Sequence, residues 1–375
     1  MSKFERLLSY LEYDPNNVQL LADAAAAAVD EGRPLQARKL LNRYTNLSPA
    51  TPKVHGIEGL TAIAEGDFAA AASIFEDLLE RHPYDPALKL NLAWARAGLR
   101  DFEAAASLLD EEALAVSPSA PTLKIRCLHH LGRLAEALTI GRALVDQYPR
   151  NQDLIGALAI VALDANELEL AKHYGARAPE QPECLATIGM LRLGEGQLIE
   201  AQASFDRALS ASPDCARARL GKGLSLLASG ETAAASVEID RAAELFEDHL
   251  GAWVAAAWAY FVLGDYKLSR ARFERALSID DTFSEIHGGL AVVDLVEGGL
   301  ESAERRAEIA LRLDRKSLSG ALATTLILAR RGDMRSAQRV RDAALNEPIG
   351  PGGRTLMQMM GRLAAPGATS KATRV

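Results

Sequence analysis

Aromatic residues make up only 5% of this 375-residue chain. A core with so few large rings has to be built from small side chains on closely approaching backbones. Three cysteines are present, Cys127, Cys184 and Cys215. An odd count without regular spacing excludes a disulfide framework and suits free thiols in a reducing compartment. No run of 18 apolar residues occurs, so no membrane span is expected. The opening MSKFERLLSYLEYDPNN alternates charge with apolar residues and lacks the apolar core of a signal peptide. These absences together set the expectation of a cytoplasmic protein. Long alternating runs of Val, Ile and Thr are missing too, while Ala and Leu dominate, so the expected fold class is all-α.

Chemical signatures are equally sparse. GxxxxGK[ST], GxSxG and HExxH do not occur, and GPGGR at 350–354 follows no strand. Cys127, His129 and His130 lie within four residues, but helix neighbours diverge instead of converging on a metal. Cys184 and Cys215 fall near the two ends of one repeat and are not expected to pair. Asp and Glu are plentiful, yet no pattern pairs two of them as acid and base. The chain is therefore read as non-enzymatic, with no cofactor and no metal.

The net charge of −8 is unevenly spread. Residues 301–375 carry 14 Lys and Arg against 7 Asp and Glu, leaving −15 on residues 1–300. The negative total argues against a nucleic-acid partner. The basic C-terminal region suits a solvated face, or a contact for an acidic partner or anionic membrane surface.

What the chain does have is a period. Gly32, Gly66, Gly132, Gly196, Gly230, Gly264, Gly298 and Gly332 recur, mostly 34 residues apart. Between Gly66 and Gly132 the gap is 66, and between Gly132 and Gly196 it is 64. Such self-similarity means stacked units, each too small to bury its own apolar face. In residues 250–283, Trp253, Ala256, Ala257 and Tyr260 share one helical face. Gly264 ends that helix, and Tyr266, Ser269, Phe273 and Ala276 mark a second.

This pattern resembles the tetratricopeptide repeat. Residues 182–215 match it through Leu185, Ile188, Gly189, Gly196, Leu198, Ala201, Phe205, Ala208 and Pro213. Residues 52–85 match through Gly59, Ala62, Gly66, Phe68, Ala71, Phe75, Leu78 and Pro83. In this register about ten units begin near 18, 52, 86, 118, 152, 182, 216, 250, 284 and 318. The resemblance implies a right-handed superhelical solenoid of antiparallel helix pairs, the first helices lining its concave side. Residues 1–17 read as a partial N-terminal repeat. The array 18–181 is irregular over 86–181, where Arg96 and Lys124 stand at usually apolar slots and a Pro pair closes RAPEQPE. Residues 182–349 are regular. Residues 350–366 are expected to form a capping helix, or an insert in the groove, and 367–375 a disordered tail.

The resemblance also places groove-facing side chains at the second, fifth, ninth, twelfth and thirteenth positions of each unit. The candidates there are Leu60, Leu90, Trp94, Met190, Leu220, Leu224, Trp258 and Phe261, with Val292 and Leu295 further along. An apolar wall of this kind implies superhelical self-packing, an apolar or amphipathic protein segment, or a second copy of the chain. A carboxylate clamp is disfavoured, because Lys53, Arg126, Arg217 and Arg330 are scattered around Asn91. The expected function is a scaffold, adaptor or chaperone. The alternatives are a structural subunit or homodimer, or a regulatory partner of a separate enzyme, for example in envelope polysaccharide biosynthesis or secretion.

Overall fold

The computed structural model describes residues 1–349 and 354–355. Two compact units are present, Met1–Ala165 and the chain from Asn166 onward. The division lies within the 152–181 repeat, whereas sequence regularity changes at 181/182.

In the first unit, α1 (Lys3–Tyr13) precedes the pairs α2 (Val18–Asp30) with α3 (Pro34–Leu47) and α4 (Pro52–Glu65) with α5 (Phe68–Arg81). Next come α6 (Pro86–Gly98) with two short helices, α7 (Phe102–Leu108) and α8 (Glu111–Val116), then α9 (Ser119–His130) with α10 (Leu134–Gln147), and α11 (Gln152–Asp164). The second unit begins with α12 (Leu168–Arg177). Its pairs are α13 (Pro182–Gly194) with α14 (Leu198–Ala211), α15 (Ala216–Ala228) with α16 (Thr232–Phe246), and α17 (Leu250–Leu263) with α18 (Tyr266–Ile279). They continue as α19 (Ser284–Val296) with α20 (Leu300–Leu313), and α21 (Leu318–Arg330) with α22 (Met334–Asn346). After α22, β1 (Pro348–Ile349) pairs antiparallel with β2 (Arg354–Thr355). Apart from Arg354 and Thr355, the expected capping helix 350–366 and tail 367–375 lie outside the described residues.

First helices start where the period puts them, with Pro118 at the N-cap of the one that begins at Ser119. Local chemistry explains the starts and stops. Asn17, Thr51, Asp85, Asn151 and Gln181 accept backbone N–H bonds as N-caps, and prolines open α4, α6 and α13. All eight periodic glycines have positive φ, from 68° at Gly32 to 91° at Gly298. The two gaps in the series are filled by Arg100 (φ 64°) and Asn166 (φ 58°), in the same left-handed conformation. The backbone turn is thus kept in every repeat even where glycine is not.

The core is made largely of alanines, with a buried phenylalanine on the second helix of three pairs. Phe75, Phe205 and Phe273 are fully buried on second helices. A Cβ built on a first-helix glycine would meet each ring: at 2.6 Å on Gly59 and 2.4 Å on Gly189 of the same pair, and at 2.2 Å on Gly289 of the next first helix, α19. A bare backbone makes room for the ring, which explains how so few aromatics suffice.

The irregular repeats have specific causes. The second helix of the 86–117 repeat breaks at Leu109, and Asp110 caps α8 by accepting from the Ala113 N–H at 3.0 Å. The break frees carbonyls at the end of α7. The ammonium of Lys124, on α9, donates at 2.5 Å to Ala106 O, which also accepts the Leu109 N–H at 3.3 Å. Burial pulls Lys124 below the ordinary lysine range. The cation at an apolar slot is therefore a helix C-cap. Arg96 similarly bonds Glu76 and, at 3.3 Å, Asp101.

Candidate protein-binding face

Within the second unit, α15 and α17 present Leu220, Leu224, Leu227, Val254, Trp258 and Phe261 as half-buried side chains. All six pack against one core cluster that contains Trp253, Ala256, Ala257, Phe273 and Leu290. Trp258 meets Phe261 edge-on, with centroids 5.3 Å apart, and Phe273 at 5.5 Å. Rings held on two sides lose little rotamer entropy on binding, a property of interface anchors. Val262, next along α17, is 65% exposed. On α13, Met190 and Leu193 are half-buried against a neighbouring cluster around Phe205.

The apolar surface closes at α19. Val292 and Leu295 are buried, at 1% and 7% exposure, and differ from the groove-facing positions expected of them. The cause is backbone proximity: a Cβ on Gly288 would lie 2.3 Å from the Gly320 N. Glu285 fastens the same contact, its carboxylate accepting from the N–H groups of Leu318 (2.9 Å) and Ser319 (3.0 Å) at the start of α21. Trp258 and Phe261 therefore lean on the flank of a closed layer that includes Val292, Leu295, Ala323 and Ile327.

In the first unit the candidates separate. Leu60 is half-buried with Ile63 in the cluster around Phe75. Leu90 differs from the expectation: at 5% exposure it lies in the core with Ala93, Ala105 and Leu123. Leu109, at the break, and Leu123 of α9 share that cluster. Trp94 is 37% exposed and joins no described cluster. The clamp cations remain apart. Lys53 pairs with Asp23 at 2.8 Å, and Arg330 donates to Leu295 O at 2.9 Å, in different units.

Two polar networks escaped the sequence reading. Asp240 accepts both Arg272 donors (2.5 and 2.7 Å) and the Tyr260 hydroxyl (3.0 Å). Burial, then the Asp240 charge, push Tyr260 up to about 12. Asp294, 5% exposed, holds Arg270 (2.6 Å), Arg306 (3.1 Å) and the Ser302 hydroxyl (2.6 Å). For Asp294 the available signal was a charge on an otherwise apolar first helix, α19, whereas Asp240 lies on a second helix, α16. Both networks tie second helices to the wall behind Trp258. Cys127 and Cys184 are buried, which pushes their thiols to about 11 and about 12, so neither is a reactive thiolate. Among the described residues no group of acidic, histidine or cysteine side chains could hold a metal, and no helix is long and apolar enough to cross a membrane.

A tetratricopeptide-repeat family model matches residues 22–86, 90–152 and 187–247. Two further tetratricopeptide-repeat models match 62–114 and 250–283. No curated protein matches the sequence. Among solved structures, a monomeric IFIT1 mutant with Gppp-AAAA aligns with a TM-score of 0.54 at 15% identity, over 88% of this chain and 90% of that one. The human IFIT1 dimer with PPP-AAAA aligns at 0.51 and 16% identity, over 92% and 93%. At such identities the likeness concerns the fold alone. Repeat period, helix pairing and family match agree, and the chain belongs to the tetratricopeptide-repeat family.

Proposed function

We propose that the chain is a non-enzymatic scaffold that binds an apolar or amphipathic protein segment on the α13–α15–α17 face. The observation that carries this reading is the half-buried cluster of Leu220, Leu224, Trp258 and Phe261, beside exposed Val262. Self-packing alone accounts for Val292 and Leu295, which are fully covered, but leaves apolar surface on α15 and α17 in water. An amphipathic helix laid on that surface would cover it through many shallow contacts. The net charge of −15 over residues 1–300 disfavours a polyanionic ligand and suits a neutral or basic segment. An adaptor or chaperone that holds such a segment for assembly or export fits this chemistry.

The test begins with capture of the partner from the native host by the full chain. Binding is then measured for Trp258→Ala with Phe261→Ala, and separately for Val262→Asp. Because Val262 is largely exposed, its substitution spares the core. Both variants are expected to weaken binding by roughly tenfold or more while keeping helix content. Unchanged affinity for Val262→Asp and for the double variant would place the contact elsewhere. A chain that is an obligate dimer by light scattering, and dissociates with either variant, would instead support an assembly interface.

A further inference from the structure

In the second unit, α14, α18 and α20 hand over to the next first helix in one way. The residue after the helix is an extended cap, with φ of −142° at Ser212, −151° at Asp280 and −145° at Asp314. Four residues then separate the helices: 212–215, 280–283 and 314–317. The handover into α17 is different. There α16 runs one residue further, through Phe246, and only 247–249 remain. Glu247 takes up the difference at φ 62° and ψ −55°. The Asp248 N–H closes a three-residue γ-turn on Phe246 O at 2.7 Å. Such a turn is rare and strained for a residue with a Cβ.

Phe246 supplies the reason. Its position in the neighbouring repeats holds Ser212, Asp280 and Asp314, polar residues suited to a solvated cap. Phe246 instead packs, half-buried, against the core cluster of Trp253, Ala256 and Phe273, and its ring lies 4.8 Å from that of His249. A helical residue 246 keeps the ring on that cluster, and the strain falls on Glu247.

The surroundings confine the irregularity to this step. Arg219, Trp253 and His287 share one position of successive repeats, and each donates a side-chain N–H to the carbonyl six residues earlier. The bonds are Arg219 Nε to Pro213 O at 3.0 Å, Trp253 Nε1 to Glu247 O at 2.9 Å, and His287 Nε2 to Asp281 O at 2.7 Å. The carbonyl is thus held at the same place in the repeat with the γ-turn and without it.

We propose that the linker 246–249 is a two-state element. In the state described above, Phe246 is helical and packed, and Glu247 is strained. In the other, residue 246 is an extended cap, Glu247 relaxes to negative φ, and the linker has the four-residue form of its neighbours. The bond from the Glu247 N–H to Ala243 O, 3.0 Å long, belongs to the first state alone. The equivalent residue Pro213 has no N–H to give. Phe246 shares its cluster with Leu220, Leu224, Trp258 and Phe261, so changes in the packing of that face shift the linker between its states. The element is a property of the fold and does not depend on what the face binds.

The experiment compares full-length Glu247→Ala and Glu247→Gly, first with Phe246 in place and then with Phe246→Ser. Both remove the same carboxylate and differ by one Cβ, so the pair reports the backbone alone. With Phe246 in place, the glycine variant is expected to melt roughly 2 °C or more above the alanine variant. Protection of the residue-247 amide against hydrogen exchange should rise about tenfold from the alanine to the glycine variant. With Phe246→Ser the order should reverse, because at negative φ glycine only adds freedom to the unfolded chain. Phe246→Leu keeps an apolar side chain on the cluster and should retain the glycine advantage. Phe246→Ala takes the place of Phe246→Ser, with the same expected reversal, where the serine variants do not fold. A glycine variant at or below the alanine variant beside Phe246 would overturn the strained state. An equal glycine advantage without the phenylalanine ring would overturn the two-state element, since Phe246 would then not hold it.

Discussion

At the scale of single residues, the turn between paired helices is the most regular feature and also where this chain stores strain. Glycine adopts positive φ at little cost, but a residue with a Cβ gives up about 1–2 kcal/mol there. Arg100 bears that cost, while Asn166 belongs to the residue types that tolerate it. Arg100 recovers part through its guanidinium, 5.5 Å from the Phe102 ring centroid. Arg100→Gly is therefore expected to stabilise the protein by roughly 0.5–1 kcal/mol, seen as a higher urea midpoint at unchanged slope. A lower midpoint would mean that the arginine's contacts outweigh its backbone. The glycine period was legible in the sequence, and its two gaps were visible as irregular spacing. That the gaps preserve the same backbone conformation was not, because left-handed geometry leaves no mark on an arginine. The groove candidates divide in the same way. Register put Leu220, Leu224, Trp258 and Phe261 on one wall, whereas burial of Leu90, Val292 and Leu295 depends on how closely the next helix approaches. Gly288 and Gly320 set that approach for Val292 and Leu295, and their meeting is a tertiary fact.

At the scale of elements, the departures from the repeat carry their own stabilisation. The break between α7 and α8 has no proline or glycine to announce it, only the acidic run Asp110, Glu111, Glu112 that suits a helix N-terminus. Asp110 is held there from two sides. The hydrogen bond from Lys89, at 2.6 Å, and then the Ala113 N–H hold its carboxyl below the ordinary aspartate value of 3.8. A depressed folded value means that the carboxylate stabilises above pH 3.8, and that this contribution is lost as pH falls through the lower folded value. Asp110→Asn keeps a competent cap and removes the charge. It should lower the thermal midpoint at pH 7, and the deficit should shrink as pH falls below 3.8. A deficit independent of pH would assign the effect to the cap geometry alone. Another element-scale link was open to a reader of the repeat. Arg38 with Glu65 (2.6 Å) and Arg270 with Glu297 (2.6 Å) join equivalent positions of successive repeats, and Glu304 with Arg331 (2.6 Å) repeats the link with its signs exchanged. Exchange of sign at fixed spacing indicates that the repeat conserves a contact and not a residue type.

For the whole molecule, the relevant property is that cohesion comes from neighbouring repeats. Each unit has its own clusters: in the first around Leu21 and Leu41, Phe75, and Leu109; in the second around Phe205, Phe273, and Ala303 with Val292. Stability in such a stack approximates a sum of local terms, so a fragment retains the structure of the repeats it contains. The boundary was not legible. The proline pair at 179 and 182 drew attention to the segment after α12, while the division at Ala165 falls in a turn with ordinary composition. Placing α12 with the second unit has a consequence, because Tyr174 and Gly175 of α12 belong with α13, where a Cβ on Gly175 would lie 2.8 Å from the Ile188 side chain. A fragment of residues 166–375 is therefore expected to fold cooperatively, whereas one beginning at 182 loses the cover of α13 and should melt earlier. Since Met190, Leu220, Leu224, Trp258 and Phe261 all lie in the longer fragment, it should capture the same partner with an affinity within about a factor of three of the full chain, a difference below 1 kcal/mol. Residues 1–165 alone should capture none. Partner binding by residues 1–165, or its loss from a folded 166–375, would move the site to Trp94 and Leu60 and leave the α13–α17 face without a ligand.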